Sequence, residues 1–68
     1  MELKIGEKIA KYRKLKGYTQ EQLGELVGVS GQAVSKWENG ASDPSTSNFI
    51  ALAKLFKISP EELLQDID

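Results

Sequence analysis

The chain has 68 residues with a formal net charge of −1, and it contains neither cysteine nor histidine. Its length allows one domain, residues 1–68, and the two missing residue types exclude disulfides, Cys/His zinc sites and any thiol or imidazole catalyst. We therefore expect no catalytic site, no metal site and no cofactor. No apolar run approaches the roughly 18 residues of a membrane span, and the charged first 16 residues are unlike a signal peptide. The sequence thus predicts a cytoplasmic protein without membrane contact.

The charges are unevenly distributed along the chain. Residues 1–40 hold seven Lys/Arg against five Asp/Glu, whereas residues 41–68 hold two against five. An anionic partner needs a local basic patch and not a basic total, so the slightly negative net charge does not exclude nucleic acid.

The first predicted helix covers about residues 3–15. Gly17 ends it, because glycine accepts the left-handed backbone that commonly follows a helix end. Four apolar side chains fall within one arc of roughly 120° on the helical wheel. They are Ile5, Ile9, Tyr12 and Leu15.

Two further helices follow, with a break of only about three residues between them. Thr19 and Gln22 have the spacing of a capping box at the start of the second helix, and Gly28 ends it. Ser30 caps the third helix, and Gly40 follows its end. The apolar positions of the pair are Leu23, Leu26, Val27, Val34 and Trp37.

The last two predicted helices are also marked by their first residues. Ser45 caps the fourth helix, and Ser59, Pro60 and Glu62 occupy the cap, first-turn and capping-box positions of the fifth. The apolar positions are Phe49, Leu52, Ala53 and Phe56 in the fourth helix and Leu63, Leu64 and Ile67 in the fifth. No segment alternates as a strand does between turn residues, so the sequence predicts an all-α domain.

The short break between the second and third helices constrains how they pack. A turn of this length forces two helices to cross steeply instead of lying antiparallel. Gly24 lies inside the second helix, where glycine costs about 1 kcal/mol relative to alanine. We therefore expect the two helices to approach so closely at this level that only a very small side chain fits.

Three stretches of the sequence have a distinctive combination of polar and apolar residues: residues 19–24 (Thr-Gln-Glu-Gln-Leu-Gly), 28–30 (Gly-Val-Ser) and 34–40 (Val-Ser-Lys-Trp-Glu-Asn-Gly). Together they resemble the phage-repressor/Cro-type (XRE-type) helix-turn-helix family. The resemblance extends over about residues 5–64 and places the helix-turn-helix motif at about residues 20–39. It implies a compact five-helix domain of the lambda-repressor type, which binds operator DNA, usually as a dimer, to regulate transcription. The sequence departs from the family pattern at Gly31, where a polar base reader is frequent, and at Lys57, where glycine is usual.

The resemblance implies a set of DNA-facing positions: Gln20, Gly31, Gln32, Ser35, Lys36, Asn39 and Ser42. Gln20 begins the second helix, where its backbone N–H and its amide can bind a phosphate. Gln32 and Lys36 share the outward face of the third helix, and Gln suits adenine whereas Lys reaches O6 and N7 of guanine. Ser35 is expected at a phosphate or sugar, and Gly31 supplies no side chain.

Each of these residues also has an ordinary structural interpretation. Gln20 can be an exposed helix-start residue, and the outward face of the third helix can simply be solvated. Asn39 and Ser42 are typical turn residues. Two observations favour base contact by the third helix: no acid lies between Gln32 and Trp37, and the segment follows the tight turn.

The resemblance also implies a partly buried ion pair between Arg13 and Glu38, which would hold the first helix to the third. We expect this structural role for Arg13 in preference to a DNA contact. Because one recognition helix reads only a few base pairs, we further expect a weak homodimer on a palindromic operator. Leu64 and Ile67 are its predicted interface residues.

The sequence therefore predicts a sequence-specific regulator that binds double-stranded DNA, most simply a repressor. The alternative is a protein-interaction module on the same fold, such as an antitoxin or an anti-repressor, and the acidic, apolar C-terminus is compatible with that alternative. An enzyme ranks below both, since the chain has no His or Cys and 68 residues barely enclose a pocket.

Overall fold

A computed structural model describes residues 5–64, which form five α-helices. Their bounds are α1 (Ile5–Lys16), α2 (Gln20–Val27), α3 (Gly31–Asn39), α4 (Thr46–Phe56) and α5 (Pro60–Leu64). The predicted all-α, five-helix fold is confirmed. None of the helices in this part of the chain is long and apolar enough to cross a membrane.

The helices begin where the sequence supplies capping side chains. The Thr19 hydroxyl accepts a hydrogen bond from the Gln22 backbone N–H at 3.0 Å, and the Gln22 side chain accepts one from the Thr19 N–H at 2.9 Å. Ser30, Ser45 and Ser59 each accept one backbone hydrogen bond at 3.1 to 3.2 Å. These contacts satisfy N–H groups that have no partner within the helix, so the predicted helix starts are confirmed.

One hydrophobic core collects side chains from all five helices: Ile9, Leu23, Val34, Trp37, Leu52, Ala53, Phe56 and Leu63. The ring of Tyr12 stacks on that of Phe56 with the centroids 5.5 Å apart. The core therefore joins the two helices of the motif to the three helices around them.

Two leucines that the periodicity assigned to apolar faces are exposed instead. Leu15 is 70% exposed and Leu26 is 54% exposed. Successive helical residues turn by about 100°, so Leu15 lies about 120° away from the buried Ile9. Around the axis of α2, Leu26 and Gly24 lie on opposite sides of Leu23. Gly24 is on the buried side, so Leu26 lies away from it. The covered part of each helix is thus narrower than its apolar arc.

Gly24 lies where the backbone of the turn reaches α2. A Cβ atom on this residue would be 2.6 Å from the Val29 carbonyl oxygen and 2.9 Å from the Ser30 carbonyl carbon. The expected lack of space is confirmed, but the close neighbour is the turn before α3 and not α3 itself. The Val29 N–H also donates to the Gly24 carbonyl at 2.7 Å, which ties the turn to α2.

A second close approach, which the sequence did not indicate, joins α1 to the end of α3. A Cβ atom on Gly6 would lie 2.7 Å from the Glu38 carbonyl oxygen and would also overlap the Trp37 carbonyl. Because both neighbours are backbone atoms, a larger side chain would push the two helices apart. Gly6 therefore helps to fix the direction of α3.

Lys57, which stands where the family usually has glycine, ends α4 in the left-handed conformation that is strained for a residue with a side chain. Its φ is 60° and its ψ is 42°, and no other non-glycine residue of the 5–64 range has a positive φ. We expect Lys57→Gly to raise the free energy of unfolding by about 0.5–1 kcal/mol, because relief of left-handed strain exceeds the added entropy of glycine. The melting temperature should rise by about 2–8 °C.

Lys54→Gly is the matched control for this substitution. Lys54 is also an exposed lysine of the same segment, but it lies within α4. Glycine should lower the stability there by about 1 kcal/mol. A loss of stability in both variants would show that the left-handed conformation of Lys57 is not strained.

Candidate nucleic-acid interface

An open groove of about 590 Å³ lies where the first turns of α2 and α3 meet. It is lined by Gln20, Glu21, Ser30, Gly31, Gln32 and Ser35. Four of the seven predicted DNA-facing residues are therefore brought together: Gln20, Gly31, Gln32 and Ser35. The N-terminal ends of both helices carry partial positive charge, which favours an anion at this surface.

The outward face of α3 follows directly from its buried face. Val34 is fully buried and Trp37 is 5% exposed, whereas Gln32 and Lys36 are both exposed. Residues four positions apart lie on the same side of a helix. Lys36 is not among the groove-lining residues, but it extends the surface of Gln32 by one helical turn.

Asn39 and Ser42 lie at the other end of α3 and are exposed. The Asn39 side-chain oxygen accepts a hydrogen bond from the Ala41 N–H at 2.9 Å. The Ser42 N–H donates to the Lys36 carbonyl at 3.3 Å. Both residues therefore shape the turn after α3, and their contact with DNA stays a prediction.

Arg13 and Glu38 form a two-pronged ion pair between α1 and α3. Arg13 Nε donates to Glu38 Oε2 at 2.6 Å, and Arg13 Nη2 donates to Oε1 at 3.2 Å. A third guanidinium nitrogen, Nη1, donates to the Tyr18 carbonyl at 2.9 Å. The side chains are only 13% and 9% exposed, so these charges are largely removed from water.

The same carboxylate also holds the side chain of Gln20. Gln20 Nε2 donates to Glu38 Oε1 at 3.0 Å. An amide NH₂ group has two donor hydrogens, so the Gln20 side chain keeps one for another acceptor. This hydrogen and the backbone N–H of Gln20 could both donate to one phosphate. The Arg13–Glu38 pair thus fixes the orientation of α3 and positions a side chain at the edge of the groove.

Comparison with known protein families identifies the same helix-turn-helix motif that α2 and α3 form. A family model for the helix-turn-helix domain (HTH_3) matches residues 9–63. The chain belongs to the phage-repressor/Cro-type helix-turn-helix family.

Two relatives illustrate the range of the family. Repressor protein C2 of Salmonella phage P22 is 41% identical over 61 residues, which cover 90% of this chain and 28% of the relative. HTH-type transcriptional regulator DicA of Escherichia coli K12 is 40% identical over 62 residues, which cover 91% of this chain and 46% of the relative. This chain therefore spans less than half the length of either relative, and neither name describes an enzyme.

A solved structure shares the arrangement of the helix-turn-helix domain. The crystal structure of the P22 c2 repressor with a synthetic operator has a TM-score of 0.87 and 39% sequence identity. The match covers 98% of this chain and 100% of that one.

Two residues that are not among the predicted DNA-facing positions also line the groove: Glu21 and Ser30. The sequence indicates Ser30 only as a helix cap, and no sequence signal marks Glu21. Glu21 directly follows Gln20, but its place in the groove depends on how closely α2 approaches α3 at Gly31. The sequence of either helix alone does not indicate that distance.

Proposed function

We propose that this domain binds double-stranded DNA sequence-specifically through α3 and regulates transcription in the cytoplasm, most simply as a repressor. The observation that carries the proposal is the meeting of Gln20, Gln32 and Ser35 in one open groove, with Lys36 on the same face of α3. The P22 c2 repressor, which has the same fold and binds an operator, supports it.

Each side chain of this surface has a chemistry that suits one part of DNA. Gln32 pairs with N6 and N7 of adenine, and Lys36 reaches O6 and N7 of guanine, both in the major groove. Ser35 and Gln20 contact phosphate or sugar oxygens and thereby set the position of α3. Asn39 and Ser42 contact the DNA backbone beyond the end of α3.

Selection of bound sequences from random double-stranded DNA tests this function directly. We expect one enriched palindromic sequence, bound with an affinity that falls as salt rises. Each neutralised phosphate should contribute about −0.9 to the slope of log K against log salt. Selection of no sequence would contradict the proposal and would favour the alternative of a protein-interaction module.

We also propose that two copies bind one operator through α5. One α3 of nine residues reads only a few base pairs, so discrimination among genomic sites requires a second copy. Leu63 is fully buried, whereas its neighbour Leu64 is 38% exposed and offers an apolar contact for a second α5. Ile67, the other predicted interface residue, lies outside the described residues. A two-fold dimer would place the two α3 helices about 34–36 Å apart.

Leu64→Lys should abolish most of the cooperativity between paired half-sites while preserving the fold. Burial of the exposed part of Leu64 is worth about 1 kcal/mol in each of the two copies. Binding to paired half-sites, relative to a single half-site, should therefore weaken more than tenfold.

Leu15→Lys is the control, because Leu15 is also an exposed leucine but lies at the end of α1. The added lysine also attracts DNA, and this attraction strengthens binding to paired and to single half-sites alike. It therefore cancels when the affinity for paired half-sites is divided by the affinity for a single half-site. An unchanged ratio in Leu64→Lys would place the dimer contact on another surface.

A further inference from the structure

The side chain of Glu21 in α2 covers the start of α3, which is the recognition helix of the proposed function. A Cβ atom on Gly31 would lie 2.8 Å from Cγ of Glu21 and 3.1 Å from its Cα. Real Cβ atoms essentially never show the first distance, and the second is tighter than most Cβ contacts, so a side chain at residue 31 would require Glu21 to move. The aliphatic part of Glu21 therefore occupies the space in which a side chain of residue 31 would begin.

Space, and not backbone conformation, restricts residue 31. Gly31 is the first residue of α3 and is not one of the glycines with a positive φ, which are Gly17, Gly28 and Gly40. Other residues could adopt its backbone conformation, yet they would displace Glu21. The lack of a side chain at residue 31 and the position of Glu21 are thus two parts of one arrangement.

Glu21 also brings an unusual group to the groove. Among the six lining residues it is the one that carries a charge, beside two glutamines, two serines and a glycine. It forms no ion pair with any other residue of the described chain. Its position in the first turn of α2 is favourable for a carboxylate, because the N-terminal end of a helix carries partial positive charge.

We propose that Glu21, in place of residue 31, supplies the group that reads the base opposite the start of the recognition helix, and that it selects cytosine. This inference rests on the proposed function, since it assigns a base contact to the same DNA-binding groove. Gly31 acts in it as a positioning residue that leaves room for Glu21.

The chemistry of the carboxylate determines the choice of base. An ionised carboxylate only accepts hydrogen bonds, so it requires a donor in the major groove. Cytosine offers its N4 amino group there, with no acceptor on the same base edge. Guanine and thymine offer acceptors, and the N6 amino group of adenine stands beside the N7 acceptor, so these three bases are disfavoured.

The negative charge of Glu21 contributes to the sequence specificity of DNA binding and lowers the overall affinity. A carboxylate in a groove that receives DNA repels the phosphates of every sequence equally. DNA binding removes the carboxylate from water, which costs free energy. Only a sequence with cytosine at the correct position offers a hydrogen bond that offsets this cost. Discrimination thus arises by penalising the wrong sequences as well as by favouring the right one.

Glu21→Gln and Glu25→Gln form a matched pair of variants for testing this inference. Both residues are exposed glutamates of α2, and Glu25 does not line the groove. Each variant loses one negative charge with little change in size. Sequence preference is measured by selection from random DNA, followed by titration of the selected operator and of variants with each base at every position.

We expect the wild-type chain to prefer cytosine at one position of each half-site. Glu21→Gln should reduce that preference about tenfold while binding to random DNA becomes tighter. Glu25→Gln should keep the preference. If Glu21→Gln and the wild type prefer the same base equally strongly at every position, the inference is wrong and the proposed function still stands. If the wild type selects no sequence, both are wrong.

Gly31→Ala supplies a second, independent test. The added methyl group must displace Glu21, so the cytosine preference should weaken although the carboxylate is still present. The double variant Gly31→Ala, Glu21→Gln should lose no more of that preference than Glu21→Gln alone. Fluorescence of Trp37 under denaturant confirms that each variant is folded. Full retention of the cytosine preference in Gly31→Ala would overturn the role of Gly31.

Discussion

Replacing Arg13 or Glu38 with alanine should lower the free energy of unfolding by about 3 kcal/mol, which is close to the whole stability of so small a domain. Removing Glu38 leaves two guanidinium nitrogens and the Gln20 amide without their acceptor. Removing Arg13 leaves a carboxylate that is only 9% exposed without its counter-charge. In both variants a charge that is largely removed from water loses its partner, and this makes the loss large.

Denaturant unfolding followed by Trp37 fluorescence measures these losses. Trp37 is the single tryptophan of the chain and is 5% exposed. The double alanine variant should lose clearly less than the sum of the single variants, because the second substitution removes the charge that the first one stranded.

Lys14→Ala and Glu25→Ala are the controls for this experiment. They remove exposed charges from α1 and α2, and each should change the stability by less than about 0.5 kcal/mol. Strictly additive losses at Arg13 and Glu38 would mean that the two side chains do not stabilise each other in solution.

The second large effect is expected on the recognition helix. Gln32→Ala and Lys36→Ala should each weaken binding to the selected operator by about 1–3 kcal/mol, with a much smaller loss on random DNA. The reason is that base contacts depend on sequence, whereas phosphate contacts do not. Gln20→Ala should by contrast weaken binding to all sequences alike.

Lys54→Ala is the matched control for Lys36→Ala, since both remove an exposed lysine and Lys54 belongs to α4. The salt dependence separates two roles of Lys36. An unchanged slope indicates a base contact, whereas a slope reduced by about one indicates a phosphate contact. Equal losses on operator and random DNA in both Gln32→Ala and Lys36→Ala would contradict base reading by α3.

Signals within a few residues of the sequence determined where the helices begin and which side of α3 faces outward. The Thr19–Gln22 capping box and the Ser30 cap each form between residues three positions apart, so they need no information from the rest of the chain. The helical period that buries Trp37 likewise places Gln32 on the exposed side.

Only the tertiary structure decided which parts of these helices are covered and which side chains share a surface. Leu15 and Leu26 satisfy the helical periodicity but are exposed, because coverage depends on how far the neighbouring helices reach. Glu21 lies in the groove because α2 and α3 approach each other closely at Gly31. Such an approach is a property of two packed helices together, and neither helix encodes it alone. The contribution of α3 to the candidate interface was therefore predicted from the sequence, whereas that of Glu21 emerged only from the packing.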